Sequence, residues 1–125
     1  MLLDSSAVLA LVFGEPGAEM VAEHLTDAAV LSVNLAECVS VARRKGVARS
    51  AFAEAVAALA LPVVDFTEPM AWLAGERRAE LPSGLGIADA CCLAAAAVRD
   101  VEVMTTDRVW REVAPAFGAR VVLIR

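Results

Sequence analysis

The chain has 125 residues, 59% hydrophobic and only 5% aromatic, which suits one domain with a core built mainly from alanine, valine and leucine and excludes disorder by composition. Its formal charge of −5, from 16 acidic and 11 basic side chains, argues at first sight against nucleic acid, whose backbone asks for a positive footprint. No apolar run reaches the ~18 residues of a membrane span and no basic n-region precedes the apolar start, so no signal peptide and a cytoplasmic location are expected.

In chain order, Met1–Leu3 opens as a short strand broken at Asp4, and Ala7–Phe13 reads as a helix stopped by Gly14-Glu15-Pro16-Gly17. Helical spacing returns over Glu19–Leu25. A second strand is expected at Ala29–Val33, a helix at Asn34–Lys45 ended by Gly46, and an alanine-rich helix at Arg49–Leu59. Pro62–Phe66 reads as a third strand, Glu68–Glu80 as a helix with proline in its first turn, and Pro82-Ser83-Gly84 as a loop. Then comes LGIADACCLAAAAV, Leu85–Val98, small and apolar on every side; it predicts a buried helix over Gly86–Arg99. Val101–Thr105 is a fourth strand, Asp107–Ala114 a short helix and Arg120–Ile124 a fifth strand. Short β-branched runs alternating with helices predict a single α/β domain over residues 1–125, a five-stranded, mostly parallel sheet flanked by helices, with its working crevice beyond the carboxyl ends of the strands.

Three cysteines (Cys38, Cys91 and Cys92) form no Cys-x-x-Cys pair, so neither a disulfide framework nor a zinc site is expected, and they read as small core residues. His24 is the only histidine, which excludes a histidine-rich metal site, and nothing near it suggests a catalytic triad.

Four acids fall at the expected carboxyl ends: Asp4 after strand one, Glu37 in the first turn after strand two, Asp89 at the start of the buried helix and Asp107 after strand four. Each also has a local reading. Asp4 and Asp107 fit N-caps, Asn34-Leu-Ala-Glu37 fits a capping box, and Asp89 fits the positive end of a helix dipole. Together they point further. Removing them leaves 11 − 12 = −1, so most of the acidic excess sits in one candidate site. Carboxylates at close range repel unless some protonate or a cation neutralises them. Oxygen ligands without cysteine or histidine suit a hard ion, Mg²⁺ or Mn²⁺.

The residues carrying these acids resemble a known family. Leu2-Leu-Asp4-Ser-Ser-Ala, Asn34-Leu-Ala-Glu37-Cys-Val, Gly86-Ile-Ala-Asp89-Ala-Cys-Cys and Val103-Met-Thr105-Thr-Asp107-Arg-Val-Trp110 resemble, in order and along the whole chain, the four motifs of PIN-domain ribonucleases, especially small VapC-type toxins of type II toxin–antitoxin systems. The resemblance implies a PIN-like three-layer sandwich and a divalent-metal-dependent endoribonuclease that hydrolyses RNA phosphodiesters with metal-activated water. It implies that Asp4 and Asp89 are central metal ligands, that Glu37 and Asp107 complete the cluster, and that Ser6 and Thr105 support it. Some relatives carry an acid or polar group two residues after the last aspartate; Val109 stands there here, which favours one tightly held ion over two. An antitoxin of the VapB kind and a homodimer through Arg49–Leu59 or Glu68–Glu80 are the implied partners, together with RNA.

Arg43 and Arg44, with Lys45 and Arg49, form the densest basic stretch, readable as a phosphate contact or as a solvated helix end. Arg77 and Arg78 invite the same two readings, and Arg108 follows Asp107 at the site rim. Trp72 and Trp110 are expected in the core rather than as base-stacking platforms. The rival readings are an RNA- or protein-binding scaffold of the same fold, a housekeeping RNA-processing nuclease, and an aspartyl phosphatase. The last wants Asp-x-Asp where the chain has Asp4-Ser5-Ser6.

Overall fold

A computed structural model describes residues 1–82 and 84–125. In chain order the elements are β1 (Leu2–Leu3), α1 (Ser5–Phe13), α2 (Ala18–Glu23), a 3-10 turn (Leu25–Asp27), β2 (Ala29–Leu31), α3 (Ser32–Arg44), α4 (Arg49–Ala58), β3 (Val63–Val64), α5 (Glu68–Glu80), α6 (Ile87–Arg99), β4 (Glu102–Thr105), α7 (Trp110–Phe117) and β5 (Arg120–Leu123). The five strands form one sheet in the order β3-β2-β1-β4-β5, and every pairing is parallel, beyond the mostly parallel sheet expected. The order reverses at β1, between β2 and β4, so the switch point lies at the carboxyl ends of β1 and β4.

Strand alternation divides the core into two layers of contacts. Leu2, Leu31 and Val103 face α5, α6 and α7 on one side of the sheet. Leu3, Val30 and Met104 face α1 to α4 on the other. The register explains this, because Leu2 pairs with Val103, and Leu3 with Met104 and Val30. Both faces of a parallel sheet are covered by helices, so its strands can be apolar throughout. Helix α6 is sunk against the sheet as its composition predicts, with Ala90 to Ala96 all buried. Its small side chains let its backbone approach the sheet closely.

Of the element boundaries that differ from expectation, two bear on the site. Strand β2 stops at Leu31 and α3 begins at Ser32, so Asn34 is the third residue of the helix and Glu37 lies in its second turn. The capping-box reading therefore fails: the cap position is Leu31, with no side-chain bond. Helix α7 begins at Trp110 rather than Asp107 and continues past Ala114, through Pro115, to Phe117, where Gly118 turns left-handed with φ 74. Asp107 stands in the turn before it. The loop expected at Pro82-Ser83-Gly84 includes Ser83, which lies outside the described residues. Among the described residues no helix is long and apolar enough to cross a membrane.

Candidate active site

The site is organised around Asp4. Its backbone N–H still belongs to the sheet, donating to Met104 O at 2.9 Å, while its extended backbone makes it the N-cap of α1. The carboxylate is only 5% exposed. Oδ2 accepts from Ser6 Oγ at 2.7 Å, from Thr105 Oγ1 at 2.9 Å and from Ser6 N at 3.4 Å. Oδ1 faces Asn34 Nδ2 at 3.4 Å. The supporting hydroxyls are themselves held, since Ser6 Oγ accepts from Thr106 N at 3.0 Å and Thr105 Oγ1 from Asp107 N at 3.1 Å. β1, β4, α1 and α3 are thereby tied to one carboxylate. Burial pushes the Asp4 carboxyl above its ordinary value, and the bonds from Ser6 and Thr105 pull it part of the way back.

The other three acids surround this fixed centre more loosely. Asp89, third residue of α6, is half-buried and accepts no hydrogen bond among the described residues. Its carboxyl is pushed up to about 7, first by burial and then by the charges of Asp4, Glu37 and Asp107. Glu37 is raised by burial and by Asp4, against a bond with Ser5. Asp107 is exposed, and its Oδ1 accepts from Val109 N at 2.9 Å, closing the turn that leads into α7. The structure thus brings all four acids into one electrostatic field, and no basic side chain contributes to the shift of Asp4, Glu37 or Asp89.

That field asks for a cation. Among the described residues no three carboxylate, thiol or imidazole groups stand close enough to be a ready-made ligand set. Oxygen donors of this kind would suit a hard cation that takes one or two carboxylates directly and keeps much of its own water. They do not fit a dry, fully protein-built cage.

Asn34 is the participant that sequence reasoning misplaced. It is fully buried, donates to Ser5 Oγ at 3.2 Å as well as facing Asp4, and its Oδ1 has no partner. Only the early start of α3 turns it inward, and the apparent cap motif concealed that.

The remaining candidates separate clearly. Arg43, Arg44 and Arg49 are exposed at the α3–α4 corner, and Lys45 pairs with Glu15 at 3.6 Å and lies 4.6 Å over the Phe13 ring. Arg77 pairs with Glu80 at 3.0 Å, and Arg78 Nε donates to Leu85 O at 2.7 Å. Arg108 is exposed beside Asp107. Trp110 is buried as expected, whereas Trp72 is 74% exposed on the outer face of α5, contrary to the expected core role. Its neighbours in the helix, Ala71, Gly75 and Glu76, are too small or too polar to cover it. The three cysteines are free and buried, and burial pushes the Cys38 thiol up to about 12. His24 is exposed, its ring bonded to Met20 O at 2.9 Å.

An all-parallel sheet with acidic side chains at its switch point defines an α/β protein with a candidate active site at the carboxyl ends of its strands. The sequence matches the PIN domain over residues 1–115, and the chain belongs to the PIN-domain family, whose members are generally nucleases. Among solved structures the fold is similar to a chain of a toxin–antitoxin complex from Klebsiella pneumoniae, at 19% identity and TM-score 0.75, covering 99% of this chain and 97% of that one. It is similar to a chain of DNA-bound VapBC from Salmonella typhimurium, at 21% identity and TM-score 0.74, again covering 99% and 97%. It also resembles VapBC2 from Rickettsia felis bound to a promoter DNA fragment, at 16% identity and TM-score 0.72, covering 98% and 96%. Compared by sequence with curated proteins, the chain matches none.

Proposed function

We propose that this PIN domain is an endoribonuclease dependent on Mg²⁺ or Mn²⁺ and acts as the toxin of a toxin–antitoxin pair. The observation that carries the reading is the set of four acids from β1–α1, α3, α6 and the β4–α7 turn: burial and the charges of Asp4, Glu37 and Asp107 push the Asp89 carboxyl up, burial and the charge of Asp4 push Glu37 up, and no basic side chain draws either one down. Asp4 and Asp89 would hold the ion, with Glu37 and Asp107 acting directly or through water. When bound, the ion supplies the charge that lets the cluster ionise, polarises a water and offsets charge developing on the phosphate.

The chain's own residues supply position and proton traffic. Ser6, Thr105 and Asn34 fix the Asp4 carboxylate so that it presents one orientation. Asp89, whose carboxyl burial and the neighbouring acids push up to about 7, would give up its proton as it takes the ion. The described residues around the cluster include no cysteine thiolate or histidine to act as nucleophile, so hydrolysis by water, leaving a 5′-phosphate and a 3′-hydroxyl, is the expected chemistry.

The partner assignment rests on the company the fold keeps. The similar chains come from toxin–antitoxin complexes, and an antitoxin partner is inferred for this chain on that ground. A cavity of about 360 Å³ between α3 and α4, walled by Leu35, Val39, Phe52 and Val56, offers apolar surface for such a partner, and exposed Trp72 on α5 offers surface for a second copy of the chain. A cytoplasmic site of action goes with this reading.

A second reading is a non-catalytic scaffold, favoured by the absence, among the described residues, of three acids at ligand spacing. Incubation of partner-free protein with total RNA in Mg²⁺, Mn²⁺ or EDTA, beside Asp89→Asn, separates the two. Discrete cleavage that needs metal and disappears in the variant supports the nuclease. No cleavage in any arm, or cleavage indifferent to the variant, favours the scaffold or a contaminant.

A further inference from the structure

Arg108, Arg111 and Arg125 line a single cavity of about 380 Å³, with Met20, Leu123 and Ile124 as its apolar walls. Three guanidinium groups around one cavity repel one another, and the structure leaves most of that repulsion unrelieved. Arg108 and Arg111 are three residues apart at the entry to α7, a spacing at which like charges face each other. Neither side chain has an ion pair among the described residues. Arg125 is partly compensated, since Nη1 donates to Pro16 O at 3.2 Å and stands 3.8 Å from Glu15 Oε2.

The cavity adjoins the acid cluster. Leu123 pairs in register with Thr105, and Ile124 N donates to Thr105 O at 3.1 Å. Thr105 Oγ1 in turn donates to Asp4, and Arg108 directly follows Asp107. The strand beneath the cavity thus runs one strand spacing, about 4.8 Å, from the strand that supports the site. The opposite wall depends on Gly17. Its φ of +96, and a position where a Cβ would lie 2.6 Å from Ile124 O, seat the start of α2 against the end of β5 and bring Met20 over the opening.

We propose that this cavity binds a backbone phosphate of the RNA strand beside the phosphodiester that is cut. The proposal rests on the nuclease reading and specifies how that site takes its substrate. A chain of net charge −5 must draw a polyanion to a cluster of carboxylates, and unpaired arginines at the rim supply the attraction where it is needed. Nucleic acid repeats its charge at every nucleotide, so a phosphate seated here carries the neighbouring phosphodiester toward Asp107. An acidic peptide would satisfy the arginines but present no such group to the acids.

The test is fluorescence anisotropy with a short labelled single-stranded RNA in Mg²⁺, every protein carrying Asp89→Asn so that nothing is cut. Arg108→Gln with Arg111→Gln is expected to weaken binding by roughly ten- to a hundred-fold, and to make the salt slope shallower by about 0.7, the value for one lost phosphate contact on a single strand. Arg77→Gln with Arg120→Gln, an equal charge loss elsewhere, should leave both unchanged. Thermal melts check that each variant is folded. In the cutting protein the Arg108/Arg111 change should raise KM for the same RNA and spare kcat. If RNA is cut normally yet affinity and slope are unaltered, the cavity proposal falls and the nuclease reading stands. If the parent neither binds nor cuts RNA, both fall. If the double variant loses affinity for a poly-glutamate peptide but not for RNA, the cavity is a peptide site and the proposal is overturned.

Discussion

Asp4 and Asp107 follow neighbouring strands, and in the sequence they look alike. In the structure they are opposites. Asp4 is buried and accepts three hydrogen bonds on one oxygen, while Asp107 is exposed and closes a single turn with Val109. The site thus has a rigid inner half, made of Asp4, Ser6, Thr105 and Asn34, and an open outer half, made of Glu37, Asp89 and Asp107. A carboxylate that must hold an ion in one place needs its orientation fixed by neighbours. Carboxylates that must adjust to solvent and substrate need the opposite.

The sharpest break in this comparison is catalytic. Asp4→Asn and Asp89→Asn are each expected to lower RNA cleavage by roughly 10³-fold, because the site loses charge that offsets several kcal/mol on the phosphate. Gel assays in Mg²⁺ measure this. Equal activity in either variant would remove that residue from the site.

Stability should divide the two halves next. Asp4→Ala leaves the donors of Thr105, Ser6 and Asn34 without their acceptor and uncaps α1, costing about 2 kcal/mol. Asp107→Ala removes one exposed bond and should cost no more than about 0.5 kcal/mol. Denaturant melts in EDTA would show the difference, and equal losses would mean that the inner half is no more rigid than the outer.

Asp89 should show the reverse sign. Its carboxyl sits at about 7 in the folded chain, against an ordinary value of 3.8. Between these values the folded chain keeps a proton that the unfolded chain has released, so metal-free stability falls as pH rises through that window and stays low above it. Asp89→Asn should therefore melt higher than the parent at pH 8 in EDTA, by about 1 kcal/mol once the screening of a half-exposed group is allowed for. The gain should vanish toward pH 4. A variant that melts lower at pH 8 would mean that Asp89 is held by an attraction rather than strained by repulsion.

The smallest effect belongs to ion pairs far from the acids. Arg120→Gln, which breaks an exposed 3.0 Å pair with Asp100, should change the melting free energy by less than about 0.5 kcal/mol and leave cleavage unchanged. A larger loss would mean that surface ion pairs carry a share of the stability assigned to the core.

Much of this was legible in the sequence, for identifiable reasons. The helix expected at Gly86–Arg99 was visible because a run that is small and apolar on all sides asks for an interior place, and Ala90 to Ala96 take it. The four acids were visible because each sits next to a strand end, and strand ends in a parallel sheet converge. The resemblance of four short stretches to the PIN motifs supplied the order, and the family match over residues 1–115 agrees with the family it implied. What stayed hidden depended on single-residue boundaries. Leu31 ends β2 two residues early, which turns Asn34 from a solvent-facing cap into a buried neighbour of Asp4. The arginine cavity joins residues from the α7 entry, the end of β5 and α2, contacts that no local pattern encodes. Trp72 shows the converse error, because a large apolar residue in a helix predicts burial only when a partner element covers that face.

The central claim is that the four acids share one cation, and Mn²⁺ titration by calorimetry tests it directly. Binding is expected to be saturable at pH 8, to weaken toward pH 6, and to release more protons at the lower pH as Asp89 is forced to ionise. Asp4→Asn or Asp89→Asn should reduce the affinity by at least tenfold, about 1.4 kcal/mol. Absence of Mn²⁺ binding by the folded parent, or affinity unchanged in both variants, would contradict it.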